Sequence, residues 1–358
     1  MSSIELFNRL ASETMQLRGR VETLTRQSTS GLKADRLGDL GPEVPRAVSL
    51  RGELGRRELY GQVMEQALGR TAVMQDSLDR LTEIARDFRT KAATRITAGD
   101  PGSLMTVQSD ARAALVEVAH LLNTRHAGEY LFGGSDLTQP PIPDPEGLAT
   151  GQMAQDIAAE VAALPLQGTA ATIAATRAIA QSNAPGVTPF SDRLAADALL
   201  PPEAQEARRG VPAADGQMIG YGIIAGRNAD AVSRGETTGS WARDLMRNLM
   251  SLAALAPEQM SDRPAFDAFM GSLRDGLSSA ELALGEEAGA LGTVEARMEA
   301  TQRRHDDLST ALSRQLSDIE EVDVADVLVR LQATRNALEA SYRALGSMRE
   351  LTLANFLR

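Results

Sequence analysis

The sequence contains no cysteine, so disulfides, thiol nucleophiles and thiolate metal sites are excluded together. Aromatic residues make up only 3% of the 358 positions, whereas a compact enzyme usually draws much of its buried area from Phe, Tyr and Trp. Histidine occurs only three times. There is no apolar run of the roughly twenty residues needed to span a bilayer. Residues 1–6 (MSSIEL) lack a basic stretch leading into an apolar one, so no Sec-type signal is expected. A formal charge of −11 opposes general affinity for nucleic acid or an anionic membrane.

Hydrophobic residues make up 43% of the chain. Outside the middle they are mostly Ala and Leu among Arg, Glu and Gln, a composition suited to long helices packed along narrow seams. Phe7, Leu10, Thr14, Leu17, Val21 and Leu24 alternate in steps of three and four, which predicts one apolar stripe on a helix ending near Ser30-Gly31. Residues 32–45 read as loop, broken by Gly38, Gly41, Pro42 and Pro45. A second stripe (Tyr60, Met64, Ala67, Thr71, Met74, Leu78, Leu81, Ala85, Phe88) predicts a helix over 48–97. Asp100 and Pro101 then read as N-cap and first residue of a helix reaching His126, with Leu104, Val107, Ala111, Leu115, Val118 and Leu122 on one face.

The pattern changes at Gly128. Residues 129–136 (EYLFGGSD) read as a short strand into a turn, and ten of the fifteen prolines fall between Pro140 and Pro212. Short helices are expected at 152–163 and 170–182, and a strand at 216–225. Ser240 is a natural N-cap before a helix over 241–255, and another helix is expected from about Pro264. The later seam runs through Val294, Met298, Thr301, His305, Leu308, Leu312, Leu316 and Ile319. Past Asp323 it resumes with Val324, Leu328, Leu331, Leu338, Tyr342 and Leu345, interrupted at Arg335.

No catalytic, cofactor-binding or metal-binding residue can be nominated. His120 and His126, six apart, fall on different faces of the expected helix, and His305 reads as a half-buried seam residue. Gly133-Gly134 lacks the GxxxxGK[ST] pattern of a phosphate loop and reads as a tight turn. Asp136, Asp144 and Glu146 do not alternate as calcium ligands do. The pairs Arg56-Arg57, Arg208-Arg209 and Arg303-Arg304 read as solvated faces or interface contacts.

The expected fold is mainly α. It comprises a long antiparallel helical bundle or coiled coil formed by the N- and C-terminal segments, with an inserted α+β middle domain. Segments 1–45 and 321–358 are the two parts of a terminal coiled-coil domain. Segments 46–135 and 240–320 are the two parts of a helical rod domain, and 136–239 is the insertion. Leu10, Leu17, Val21, Leu24, Leu328, Leu331, Leu338, Tyr342, Leu345 and Phe356 are the candidate assembly interface, because seams not covered within one chain must find neighbouring subunits.

Four stretches resemble the flagellin superfamily. Residues 25–32 (TRQSTSGL) are similar to the ISSG/ISTG segment that closes the family's first helix, and 60–98 carry its long gap-free seam. Residues 126–134 (HAGEYLFGG), followed by Pro140-Pro141, look like the GxYLFGG signature of the hook-associated protein 3 branch, the subunits joining hook to filament. Residues 340–345 (ASYRAL) through Asn355-Phe356-Leu357 are similar to the family's closing helix. The likeness covers 1–140 and 235–358. It departs at 34–40 (ADRLGDL), where the family usually has Asp-Asp-Pro or Asp-Asp-Ala, so the contacts of that bend are not carried over.

The resemblance implies a structural, non-enzymatic subunit of the bacterial flagellum, located outside the cell and exported through the flagellar type III channel without a cleaved signal peptide. It implies partners of four kinds: copies of the chain itself, an adjoining hook-associated protein, flagellin, and the export machinery with a chaperone. No cofactor, nucleic acid or membrane span is implied. A filament flagellin is the near alternative, and a cytoplasmic coiled-coil scaffold the alternative of another class; detection in sheared extracellular appendages would eliminate the scaffold.

Overall fold

The computed structural model describes the backbone of residues 3–94 and 101–356, and the side chains of Glu5, residues 8–93 and residues 102–347. The expected N-cap Asp100, the helix end at Thr97 and the side chains of Phe7 and Phe356 lie outside the described residues. The chain divides into two compact units, Met1–Leu59 with Arg304–Arg358, and Tyr60–Arg303.

In the first unit, α1 (Ser3–Ser30) ends where Gly31 turns to φ 74° and its N–H returns to the Gln27 carbonyl at 2.9 Å. That left-handed conformation is open to glycine at no steric cost. A 3-10 turn (Leu37–Glu43) leads directly into α2 (Val44–Thr94). The expected loop over 32–45 therefore closes slightly early, because a proline in a first helical turn gives up an N–H that has no intrahelical acceptor. Two long helices complete the C-terminal side, α9 (Arg263–Glu320) and α10 (Val324–Phe356), numbered here in chain order. Asp323 caps α10, its Oδ1 accepting the N–H groups of Ala325 at 2.9 Å and Asp326 at 3.3 Å. Ala47, Leu50 and Ile319 form a small core with Leu40, Leu312 and Leu316 packed on it. Arg51 closes that core's edge with a two-pronged pair to Glu320 at 2.9 and 2.8 Å.

The second unit holds the large core. All the seam residues of α2 from Met64 to Phe88 are buried, as are those of α3 (Pro101–Leu122), as their spacing predicts. A hairpin follows, β1 (Arg125–His126) with β2 (Glu129–Tyr130). The helix expected to reach His126 thus stops at Leu122, and His126 belongs to a strand. The proline-rich segment builds α4 (Gln152–Ala162), α5 (Leu164–Gln167), α6 (Thr169–Gln181) and α7 (Asp192–Ala198). The hairpin of β3 (Gly210–Ala214) and β4 (Gln217–Gly220) follows, so the expected strand over 216–225 is shorter and has an unforeseen partner. Ile224 still pairs with Gly133 through an isolated antiparallel bridge.

α8 (Trp241–Ala253) is the centre of this unit. Every one of its residues is buried, and it packs on α3, α4 and α6. Along α9, His305 is fully buried rather than half-buried. Leu308 is exposed, because four residues beyond His305 the half-buried position is Ser309.

Candidate assembly interface

α1 and α10 pack against each other as an antiparallel pair. Their register is fixed at two levels. Leu32 bridges Glu321, with Lys33 N–H on the Glu320 carbonyl at 2.7 Å and Val322 N–H on the Gly31 carbonyl at 2.9 Å. Farther along, Thr14 Oγ1 and Ser341 Oγ lie 2.6 Å apart. This register brings Leu10 level with Leu345, Leu17 with Leu338 and Leu24 with Leu331.

Burial follows the heptad step. On α10, Val327 and Leu331 are buried, and Thr334, Leu338, Ser341 and Leu345 are half-buried. On α1, Thr14 is buried, and Leu10, Leu17, Val21 and Leu24 are half-buried. The ten nominated residues therefore fall into two sets. Leu10, Leu17, Val21, Leu24, Leu331, Leu338 and Leu345 line the seam within the chain. Leu328 and Tyr342, each 51% exposed, lie one position off it. Phe356 falls among the side chains not described.

The off-seam residues form a stripe of their own. Val324, Leu328, Arg335 and Tyr342 follow one another by four, seven and seven residues, so they share one face of α10, and all are exposed. On α1, Met15 is 75% exposed. The flanks carry ion pairs at helical spacing, Arg9 with Glu13 at 3.1 Å, Arg18 with Glu22 at 3.4 Å and Arg330 with Asp326 at 2.7 Å. Exposed pairs of this kind contribute a few tenths of a kcal/mol.

The segment from Asn123 to Ile142 is the second feature of interest. Ala127 (φ 50°) and Gly128 (φ 86°) both take the left-handed conformation that a two-residue hairpin of matching twist requires. Arg125 donates to the Gly128 carbonyl at 2.6 Å and lies 4.9 Å from the centre of the Tyr130 ring. Glu129 is held by Arg70 at 2.6 Å and Arg209 at 3.0 Å, and Arg208 pairs with Asp230 at 2.6 Å, so both members of the Arg208-Arg209 pair are internal tethers. Phe132 is fully buried. Gly133 and Gly134 form a tight turn. A Cβ on Gly133 would lie 2.5 Å from the Asp136 carbonyl, and Gly134 has φ 66°.

The Asp136 carboxylate accepts the N–H groups of Thr138 and Gln139 at 3.2 and 3.1 Å; despite the opposing cost of burial, these bonds hold it below the usual carboxylate range. Asn123 ties the proline run back by exchanging two bonds with Ile142, at 2.7 and 2.9 Å. Asp144 accepts Gly147 N–H at 2.9 Å, and Glu146 lies 3.2 Å from His120. The three acids are thus spent on local structure.

Sequence reasoning missed the polar content of α8. Its text, WARDLMRNLMSLA, is strongly amphipathic, yet Asp244 (0% exposed) and Arg247 (1% exposed) are both enclosed. Arg247 donates to Glu236 at 2.7 Å, Ile173 O at 3.1 Å and Thr176 Oγ1 at 3.2 Å, and Glu236 also pairs with Arg177. Burial raises the Asp244 carboxyl against hydrogen bonds from Thr237 and Thr238, and it pushes the Arg243 guanidinium down to about 10. The density of Arg, Asp and Asn on so apolar a helix was the available signal.

No helix of the described residues is long and apolar enough to cross a membrane, and no group of three or more His, Asp or Glu among them could hold a metal ion. No curated protein matches the chain. Residues 275–357, which take in most of α9 and α10, match the family described as the bacterial flagellin C-terminal helical region. With a mainly helical fold whose terminal helices pair in antiparallel, that match supports membership of the flagellin superfamily, a family of structural proteins, and with it a part as a structural subunit of the bacterial flagellum.

Proposed function

We propose that this chain is the junction subunit between the hook and the filament of a bacterial flagellum. It assembles with copies of itself and with the adjoining hook-associated protein and flagellin. The observation that carries the assembly reading is the stripe of Val324, Leu328 and Tyr342, left outside the intrachain seam on a helix that belongs to the matched region. A heptad-spaced apolar stripe in contact with water is stabilised when a second helix covers it. Arg335, in the middle of the stripe, asks that partner for a carboxylate or for backbone carbonyls.

The choice of junction over filament rests on the Gly128–Pro141 stretch, whose GEYLFGG turn followed by prolines is similar to the hook-associated protein 3 branch. In this reading 1–45 and 321–358 are the assembling coiled coil, 46–135 and 240–320 a helical rod domain, and 136–239 an insertion. The chain travels to its site unfolded through the flagellar export channel, escorted by a chaperone, and the absence of cysteine suits that passage.

A strain lacking the gene should build hooks and shed unpolymerised flagellin into the medium. Normal filaments in that strain would refute the junction reading. Quantifying the protein per flagellum separates the near alternative, since a junction ring contains few copies and a filament very many.

A further inference from the structure

Residues 229–239 lie between β4 and α8 without regular secondary structure. Among the described residues, no backbone–backbone hydrogen bond involves any of them. Backbone N–H groups need acceptors, and here carboxylates supply them. Glu287 accepts Ala229 at 2.6 Å, Asp230 at 3.1 Å and Ala231 at 3.2 Å. Glu286 accepts Val232 at 2.9 Å, and Asp244 accepts Thr238 at 2.5 Å.

Charged groups reach the segment from every side. They are Arg177 on α6, Asp244 and Arg247 on α8, Glu286 and Glu287 on α9, and Arg208 ahead of β3. Of the segment's own charges, Asp230 pairs with Arg208 at 2.6 Å and Arg234 with Glu286 at 2.8 Å. Glu236 pairs with Arg247 at 2.7 Å and also with Arg177. The uncharged ties include Asn228 donating to the Ala231 carbonyl at 3.1 Å and Gln181 to the Thr238 carbonyl at 3.0 Å.

We propose that residues 229–234 form an acid-released strap: protonation of Glu286 and Glu287 frees them from α9, while Thr237 and Thr238 stay on Asp244 as the hinge. Three residues aim N–H groups at the Glu287 carboxylate. A proton there removes the charge that strengthens those bonds and sets an O–H donor against N–H donors. The Val232 N–H, and after it Arg234, hold the Glu286 carboxyl below the usual glutamate range. Its contribution is therefore complete above about pH 4.3 and is lost as the pH falls through the lower bound value. Asp244 has the opposite sign. Burial raises its carboxyl, so acid favours the enclosed neutral form and the Thr238 end stays closed. Opening of the strap bares the α9 surface around Glu287.

Amide hydrogen exchange of the full chain, read as protection factors from pH 7 to pH 3, tests this. Protection of Ala229–Val232 should fall roughly tenfold or more in acid, while Thr238 and α3 keep theirs. Glu287→Gln should show that loss already at pH 7. Glu281→Gln, on the same helix but paired with Arg86 and Arg89 of α2, should not. If Glu287→Gln also unprotects α3, Glu286→Gln reads the same release at Val232. Protection of 229–232 that survives at pH 3, that is lost only together with α3, or that is lost at the same pH as Thr238 would overturn the proposal.

Discussion

At the scale of single residues, the side chains that matter most are buried polar groups with full sets of partners. Glu287 of α9 is 1% exposed and accepts the N–H groups of Ala229 at 2.6 Å, Asp230 at 3.1 Å and Ala231 at 3.2 Å. Its neighbour Glu286 accepts Val232 N–H at 2.9 Å and pairs with Arg234, and both bonds hold its carboxyl below the usual glutamate range. Two adjacent acids on one helix thus pin the loop that leads into α8. Glu287→Ala leaves several backbone donors without their acceptor and should cost about 3 kcal/mol. Urea unfolding of the full chain measures it; a loss under about 1 kcal/mol would mean that water replaces the carboxylate. None of this was legible in the sequence, where nothing in the spacing of Glu286-Glu287 tells a tethering carboxylate from a solvated one.

Among the elements, α10 separates two roles that spacing alone could not. The residues Leu328, Leu331, Leu338, Tyr342 and Leu345 all obey the three-four rule within one position, and a sequence does not say which of two neighbouring stripes meets a helix of its own chain. The fold puts Leu331 on the seam with α1 and leaves Leu328 outside. Leu331→Ala should accordingly destabilise the α1–α10 pair by about 2 kcal/mol, whereas Leu328→Ala should change monomer stability by less than about 0.5 kcal/mol. Thermal melting of the monomer reads the first effect, and polymerisation reads the second. Leu328→Asp should abolish assembly while the monomer melts as before; assembly by that variant would place the contact on another face.

Elsewhere the helices of 60–122 were legible because their stripes are long and unbroken, and their seam residues from Met64 to Phe88 and from Leu104 to Leu122 are buried. The errors came where local chemistry overrode period. A left-handed Ala127-Gly128 pair turned the chain at His126, and Pro212 sits inside a strand that no alternation announced.

For the whole molecule, the two units differ in the size of their cores. Tyr60–Arg303 buries an extensive cluster from Met64 to Met298, whereas the other unit buries Ala47, Leu50 and Ile319 together with a narrow seam. Buried apolar area sets the hydrophobic contribution, so the terminal unit should open at lower temperature or denaturant. Native-state hydrogen exchange checks this directly. Amides of α1 and the first half of α10 should exchange through an opening weaker than that of α3 and α8, and equal protection throughout would show one cooperative unit.

The hydrogen bond between Thr14 and Ser341 joins residues 327 positions apart, and that separation bears on time rather than stability. Contacts this remote in sequence form slowly, because the loop between them must close before the contact returns anything. Folding of residues 60–303 by themselves shortens that loop and draws the two terminal helices toward each other. α1 is therefore synthesised first and paired last. During that interval its half-stripe of leucines stands open to whichever helix reaches it first, whether from its own chain or from another.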